Sequence, residues 1–340
     1  MHWGARNDSE FFHRQFNDFV DEVLIPACLK HGVSQILQLG DMMDKRKTVN
    51  FMTLKMVKDA FARLDSNRIH MTALVGNHDV FHKNTVEVNS LQLLFSDVPN
   101  FTPIVHPTMW GGLMIVPWIC DENRSEVMSQ IASSQAKYLA GHFELAGFDM
   151  YRGVPCEHGD DHTAFSKFRK VYSGHFHTRS IKDNVEYVGT PYEIIWSDHG
   201  DEKGFLILDT ETGEEIWIRN DRKIHLMIRY REDEIQKTYD FSVVKDRYVK
   251  IVVEKAENQK KLDAFVKMCY SNEPVHLAVI DLRAEEEEED LSGEIVADKD
   301  PLTVLTDEIR RKNEEQKAMS LVKKSNELYI EAMTEREQIA

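Results

Sequence analysis

Before residue 180 the chain passes four times from a short apolar run into glycine and then into a side chain able to bind a metal. Residues 34–39 (SQILQL) lead to Gly40-Asp41-Met42-Met43-Asp44, and 70–75 (HMTALV) lead to Gly76-Asn77-His78-Asp79. Residues 136–140 lead to Gly141-His142-Phe143-Glu144, and 170–173 lead to Gly174-His175-Phe176-His177. Each apolar run has the length of a buried strand. The spacing predicts helices between them, over 9–31, where Phe12, Phe16, Phe19, Val20, Val23 and Leu24 trace one face, and over 50–64 and 123–134. A further strand is expected at 112–116. Such alternation specifies an α/β architecture whose functional groups collect at the carboxyl ends of strands.

Any one of these tetrapeptides is weak, since a lone histidine or aspartate is more often structural than a ligand. Together they supply a carboxylate, an amide oxygen and several imidazoles, a mixed oxygen and nitrogen set able to hold two divalent cations. Glycine before each ligand lets the backbone turn sharply, so that side chains from separate strands converge. Asp44 and Glu144, two or three residues beyond a motif's first polar side chain, are better read as loop or supporting carboxylates. His82, His106, His158, His162 and His199 fall outside the motifs, and Trp118 and Trp196 are expected in the core.

Residues 186–220 contain more strands, with a hairpin over 204–218 around Thr212-Gly213. The core is expected to end near Asn220. A smaller α+β unit follows, with strands at 224–230, 248–253 and 275–281 and a helix at 259–269. Residues 284–290 (AEEEEED) are a solvated acidic linker by composition, and 302–337 is helix-permissive. With 340 residues, 42% of them hydrophobic, the chain can bury a substantial core. A formal charge of −16 excludes a large basic surface that would hold nucleic acid unaided. No apolar run is long enough to span a membrane, and no secretory leader is visible, so a cytoplasmic protein is expected. Cys28, Cys120, Cys156 and Cys269 are too scattered for a zinc knuckle or disulfide framework, and are expected as buried thiols.

The motif order resembles the calcineurin-like metallophosphoesterases, whose pattern is D-x-H, G-D-x-x-D, G-N-H-D/E, G-H and G-H-x-H, over roughly residues 2–200. Within that superfamily the chain looks most like the SbcD-type DNA repair nucleases, and closest to the tailed-phage recombination endonuclease subunit. Residues 115–123 (IVPWICDEN), GHFELAGF and 188–198 (VGTPYEIIWSD) carry the narrower likeness. The resemblance implies a layered metallophosphoesterase β-sandwich flanked by helices over 1–220 and a small α+β cap over 221–283. It also implies an acidic linker over 284–300 and a helical tail over 301–340 that binds an SbcC-type coiled-coil ATPase.

By the same resemblance Asp41 bridges two metals, expected as Mn2+. His2 and His177 complete one ion's ligands, and Asn77, His142 and His175 the other's. His78 would contact the scissile phosphate or protonate the leaving oxygen, with Asp44 and Asp79 in supporting positions and Asp79 either orienting His78 or stabilising a turn. The implied activity is metal-dependent hydrolysis of DNA phosphodiesters, with a homodimer left open. Two alternatives stand beside it: a phosphatase or cyclic-nucleotide phosphodiesterase for a small substrate, and a non-catalytic scaffold of the repair complex.

The scaffold alternative arises at the first residues. His2-Trp3-Gly4 matches the second half of the D-x-H motif, which places the motif's aspartate just upstream of Met1. The expectation is a sequence shortened by about seven to ten residues, one strand and its entry, leaving the first strand missing and a gap in the sheet's hydrogen-bond ladder.

Overall fold

The computed structural model describes residues 1–235 and 239–283, so the linker and tail expected over 284–340 lie outside the described residues. The chain divides into two compact units. The first takes in Met1–Met227, Val244–Val249 and Glu273–His276; the described parts of the second are 228–235, 239–243, Lys250–Asn272 and 277–283.

The first unit opens with the single turn α1 (Ala5–Asp8), followed by α2 (Glu10–Phe19), a π-helical turn (Val20–Leu24) and α3 (Ile25–His31). The sequence predicts one helix here, and Pro26 explains the interruption. Proline brings no N–H to the ladder and crowds the preceding turn, and the strain is taken up by a wider turn in which Ile25 N–H bonds to Val20 O. Strand β1 (Gln35–Gln38), helix α4 (Phe51–Ser66) and strand β2 (His70–Leu74) form a parallel crossover unit, with Asn50 capping α4 by accepting from Met52 N–H. Helix α5 (Ser90–Phe95) precedes β3 (Phe101–Ile104), which joins β2 in parallel to complete a three-stranded sheet.

The remaining strands build a six-stranded sheet. They are β4 (Thr108–Trp110), β5 (Leu113–Val116), β6 (Tyr138–Gly141) after helix α6 (Arg124–Ser133), and, beyond the small hairpin β7 (Asp149–Tyr151) and β8 (Val154–Pro155), β9 (Lys170–Ser173), β10 (Ser180–Lys182) and β11 (Val185–Tyr187). Their order is β10-β11-β9-β6-β5-β4, with a parallel centre and antiparallel edges. Side chains alternate along the central strands as period two requires. Leu113, Ile115, Tyr138, Ala140 and Tyr172 pack with Leu74 of the three-stranded sheet, whereas Met114, Val116, Leu139 and Val171 pack with Val127 and Ile131 of α6.

The hairpin β12 (Lys203–Leu208) and β13 (Glu215–Asn220) follows. Among the described strands β1 pairs only with β2, and β12 only with β13; residues of both free edges line a cavity of about 260 Å3. The last strands are β14 (His225–Arg231), β15 (Tyr248–Lys255) and β16 (His276–Asp281), which form a three-stranded sheet in that order, with helix α7 (Gln259–Ser271) between β15 and β16. All four cysteines are buried and unpaired.

The first residues are part of the core. Trp3 is 1% exposed and meets Phe16 of α2 edge-on at 5.5 Å, and Phe16 stacks on Tyr192 at 4.3 Å. Tyr192 OH donates to Met1 O at 2.7 Å. Backbone bonds from His2 N–H to Asp41 O and from Trp3 N–H to Met42 O tie this segment to the loop after β1. Burying a side chain of this size stabilises by about 1.5–3 kcal/mol, so Trp3 anchors its neighbour His2 firmly.

Candidate metal centre

The four glycine motifs lie just past the carboxyl ends of β1, β2, β6 and β9 and converge there. The approach is so close that all four glycines leave no room for a side chain. A Cβ on Gly40 would stand 2.2 Å from His142 Nδ1, and one on Gly76 would stand 2.2 Å from Asp41 N. His2, Asp41 and His175 all hold positive φ (54°, 55° and 83°), a region that non-glycine residues seldom occupy. Such strain persists only where surrounding structure enforces it.

Two groups of ligand atoms result. Those of His2, Asp41 and His78 lie within 4.8 Å of one another, as do those of Asp41, His142 and His175, and Asp41 belongs to both groups. Asn77 joins the second group, its Oδ1 lying 2.9 Å from His142 Nε2 and 3.0 Å from His175 Nδ1. His177 reaches the first, its Nε2 lying 3.3 Å from His2 Nε2. All of the residues expected from sequence are therefore brought together. His78, expected outside the ligand set, stands within reach of the first group.

The outward nitrogens explain how the rings are aimed. A carbonyl oxygen only accepts, so His142 Nδ1 carries the proton it donates to Leu39 O at 2.7 Å, and His78 Nδ1 carries the one it donates to Asp44 O at 2.7 Å. Nε2 of each ring is then the inward lone pair. His2 turns Nδ1 to the Asp44 carboxylate at 3.3 Å, His177 turns Nδ1 toward Asp198 at 3.6 Å, and His175 turns Nε2 toward Glu144 at 3.7 Å. This arrangement, one nitrogen on an outer oxygen and the other facing in, is how metal-binding histidines are held. Inside, acceptor meets acceptor at the His142 Nε2 and Asn77 Oδ1 contact, which a cation would reconcile.

Electrostatics agree with that use. Burial lowers the His2 pKa to about 4. Burial and then the neighbouring His142 lower that of His175 to about 3. Both rings are therefore neutral and ligand-competent at neutral pH. Burial opposes the charge on Asp41, but His142 and His78 outweigh it and hold the carboxyl well below its usual range. Burial resists a charge on His142, but the neighbouring Asp41 carboxylate outweighs it and raises its pKa above the usual imidazole value.

Asp79 has a different part from orienting His78. Fully buried, its carboxylate accepts from the backbone N–H groups of Met42, Met43 and Gly76 at 2.9–3.2 Å, clamping the loop after β1 to the loop after β2. Burial and then the charge of Asp41 raise its pKa to about 6. The orienting partner of His78 is the Asp44 carbonyl, and Asp44's carboxylate orients His2.

Three further residues lie behind the site without a motif to announce them. Gln38 brackets Gly40, donating to its carbonyl and accepting its N–H. Asp198 and the fully buried Lys203 form a 2.8 Å ion pair behind His177.

Fold and site together define an α/β protein with two imidazole clusters sharing one aspartate at its strand ends. The chain matches no family model. It is 34% identical over 233 residues to exonuclease subunit 1 of enterobacteria phage T4, a match covering 67% of this chain and 68% of the phage protein. The chain belongs to that family of SbcD-like phage recombination nuclease subunits. Among the described residues no helix is long and apolar enough to cross a membrane.

Proposed function

We propose that the chain is a nuclease that hydrolyses DNA phosphodiesters at a pair of divalent cations, Mn2+ foremost, within a recombination and double-strand-break repair complex. The observation that carries this reading is the set of imidazoles with one nitrogen turned to an outer oxygen and the other turned in around Asp41 and Asn77. The metallophosphoesterase motif order and the phage exonuclease relative support it.

The residues fit two cations: His2, His177 and Asp41 would hold one, and Asp41, Asn77, His142 and His175 the other. When bound, the pair would supply charge neutralisation and an activated water for in-line attack. The chain's own contribution begins with Asp41, whose depressed pKa keeps it anionic between both groups. His78 N–H donates to Asp41 Oδ1 at 2.8 Å, which fixes the backbone of the GNHD loop against the shared carboxylate. With Nδ1–H committed to Asp44 O, Nε2 is the atom of His78 that exchanges a proton, and it would donate to the leaving oxygen. An SbcC-type ATPase is the partner this reading assigns, docking through the 301–340 segment. A chain of net charge −16 then relies on cations and partner for its hold on DNA.

Elemental analysis of the purified chain and cleavage of linear duplex DNA test the proposal together. Two ions per chain and activity abolished by EDTA and restored by Mn2+ are expected, with Asp41→Asn losing both ions. No bound metal, or cleavage of a small diester without cleavage of duplex DNA, would overturn it.

A further inference from the structure

A second cavity, of about 230 Å3, opens beside His142 and is walled by Trp118, Lys83, Arg124, Asp121, Glu144 and Asp160 among others. Trp118, expected in the core, is only half-buried. Its indole is locked in place: the ring lies tilted against His175 at 5.6 Å and edge-on to His142 at 5.9 Å, and Nε1–H donates to Lys83 O at 3.3 Å. A backbone bond from Trp118 N–H to Val75 O and a side-chain bond from the Asn123 amide Nδ2–H to Trp118 O secure the main chain beneath it. A rigid aromatic face therefore adjoins two of the proposed cation ligands and lines an open cavity.

The charges on the walls select what enters. Asp121, Glu144 and Asp160 contribute three carboxylates against the cations of Lys83 and Arg124, and Arg124 is already paired with Asp160 at 2.7 Å. On the walls away from the imidazoles a phosphate would meet more carboxylates than cations. A neutral planar ring would stack on the indole, and exocyclic amino groups on that ring could donate to the carboxylates.

We infer that the Trp118 cavity is a nucleobase subsite, receiving the base next to the scissile phosphate while the phosphate itself stays at the imidazole clusters. The inference rests on the nuclease reading above and adds a positional requirement to it. Base–aromatic stacking is strong enough to change binding by about tenfold or more, and because every base has a π-face the subsite tolerates sequence. Its function is to hold one nucleotide in register with the reacting phosphate.

The test compares an oligonucleotide with a matched one carrying an abasic residue beside the cleaved bond, using the full chain loaded with Mn2+. Cleavage and, separately, equilibrium binding in EDTA by fluorescence anisotropy are both measured. Wild type should favour the intact oligonucleotide by about tenfold. Trp118→Ala should bring that ratio to about one, and Trp118→Phe, which keeps a ring, should retain most of it. An unchanged ratio in Trp118→Ala, or equal loss in both variants, would overturn the subsite. Absence of cleavage of either substrate by wild type would sink the nuclease reading instead, and the binding ratio would still decide whether Trp118 holds a base.

Discussion

Lys203→Met isolates the ion pair behind the centre. The substitution keeps an unbranched side chain of similar length and deletes only the ammonium. In the folded chain Lys203 Nζ lies 2.8 Å from Asp198 Oδ1, 2.9 Å from His177 O and 3.0 Å from Thr190 Oγ1, with Asp201 at 3.6 Å. Asp201 keeps Arg152 and Thr178 as partners when Lys203 is gone, at 2.8 and 2.9 Å. Asp198 keeps only the N–H groups of Ile194 and Ile195 and the more distant His177 ring. Removing one partner of a buried pair costs about 3–5 kcal/mol. Two backbone donors already satisfy Asp198 in part, and His177 O keeps the Thr190 N–H at 3.0 Å, so the lower half of the range applies, about 3–4 kcal/mol.

Urea unfolding of the EDTA-treated protein at pH 7 reads this directly. The pH dependence supplies a second arm. Burial would raise the Asp198 pKa, but His177 and Lys203 together hold it far below the usual carboxylate range. A depressed pKa contributes stability that is present above the unfolded value and is lost as pH falls through the folded one. Without Lys203 the folded value rises, so Asp198 in the variant takes up a proton sooner and the gap from wild type should narrow as pH approaches 4. In the double variant with Asp198→Asn, more than half of the loss should return, because no uncompensated charge remains. A loss below about 1 kcal/mol at pH 7, or strictly additive single effects, would refute the ion pair as a structural anchor of His177.

Gly40→Ala adds a Cβ 2.2 Å from His142 Nδ1 at a φ of 94°, so left-handed strain and overpacking should together cost about 3 kcal/mol and lower bound metal. Gly32→Ala is the control, since its φ is also positive (67°) but nothing lies within 4 Å of the new atom; thermal unfolding and elemental analysis should show a loss of about 1 kcal/mol there and no metal defect. In EDTA, His2 and His175, lowered to about 4 and about 3, stay neutral in the fold while the unfolded chain protonates near 6.5, so each destabilises by about 1.4 kcal/mol per pH unit as pH drops from 6.5 toward 4. Asp79, raised to about 6, acts with the opposite sign between 6 and 4 and offsets about one of the two, while His13, His199 and His225, also lowered by burial, add to the loss; a flat urea-midpoint profile over this range would contradict the burial of these rings.

The strands that deliver the motifs were legible because an apolar run ending at glycine marks both their burial and their stop. β1, β2, β6 and β9 fall within two residues of the expected positions. β3 was not foreseen, and Pro103 is the reason, since proline argues against a strand interior. It is tolerated because β3 is an edge strand paired only with β2, so the missing N–H has no partner to disappoint. The helix over 9–31 was legible as a face of phenylalanines, but its π turn depends on how the chain relieves Pro26, which periodicity does not express.

Within the site, residue identity was legible and orientation was not. The motif shows that Asp79 follows His78, but not that its carboxylate turns away to three backbone amides while a carbonyl two strands' worth of chain earlier aims the ring. Lys203 reads as a polar residue at the mouth of a hairpin, yet it is fully buried because Asp198 and Asp201 come round to meet it. These positions share a cause. His2, Asp41 and His175 at positive φ, Asp79 without exposure and Lys203 in the core each break a local rule that most of the chain obeys. Local rules break together where tertiary structure supplies the compensation, and natural chains concentrate such conflicts at functional sites. Their gathering around one shared carboxylate is therefore an argument for the centre that adds to the motifs, since the strain at His2, Asp41 and His175 does not serve the packing of the strands beside them.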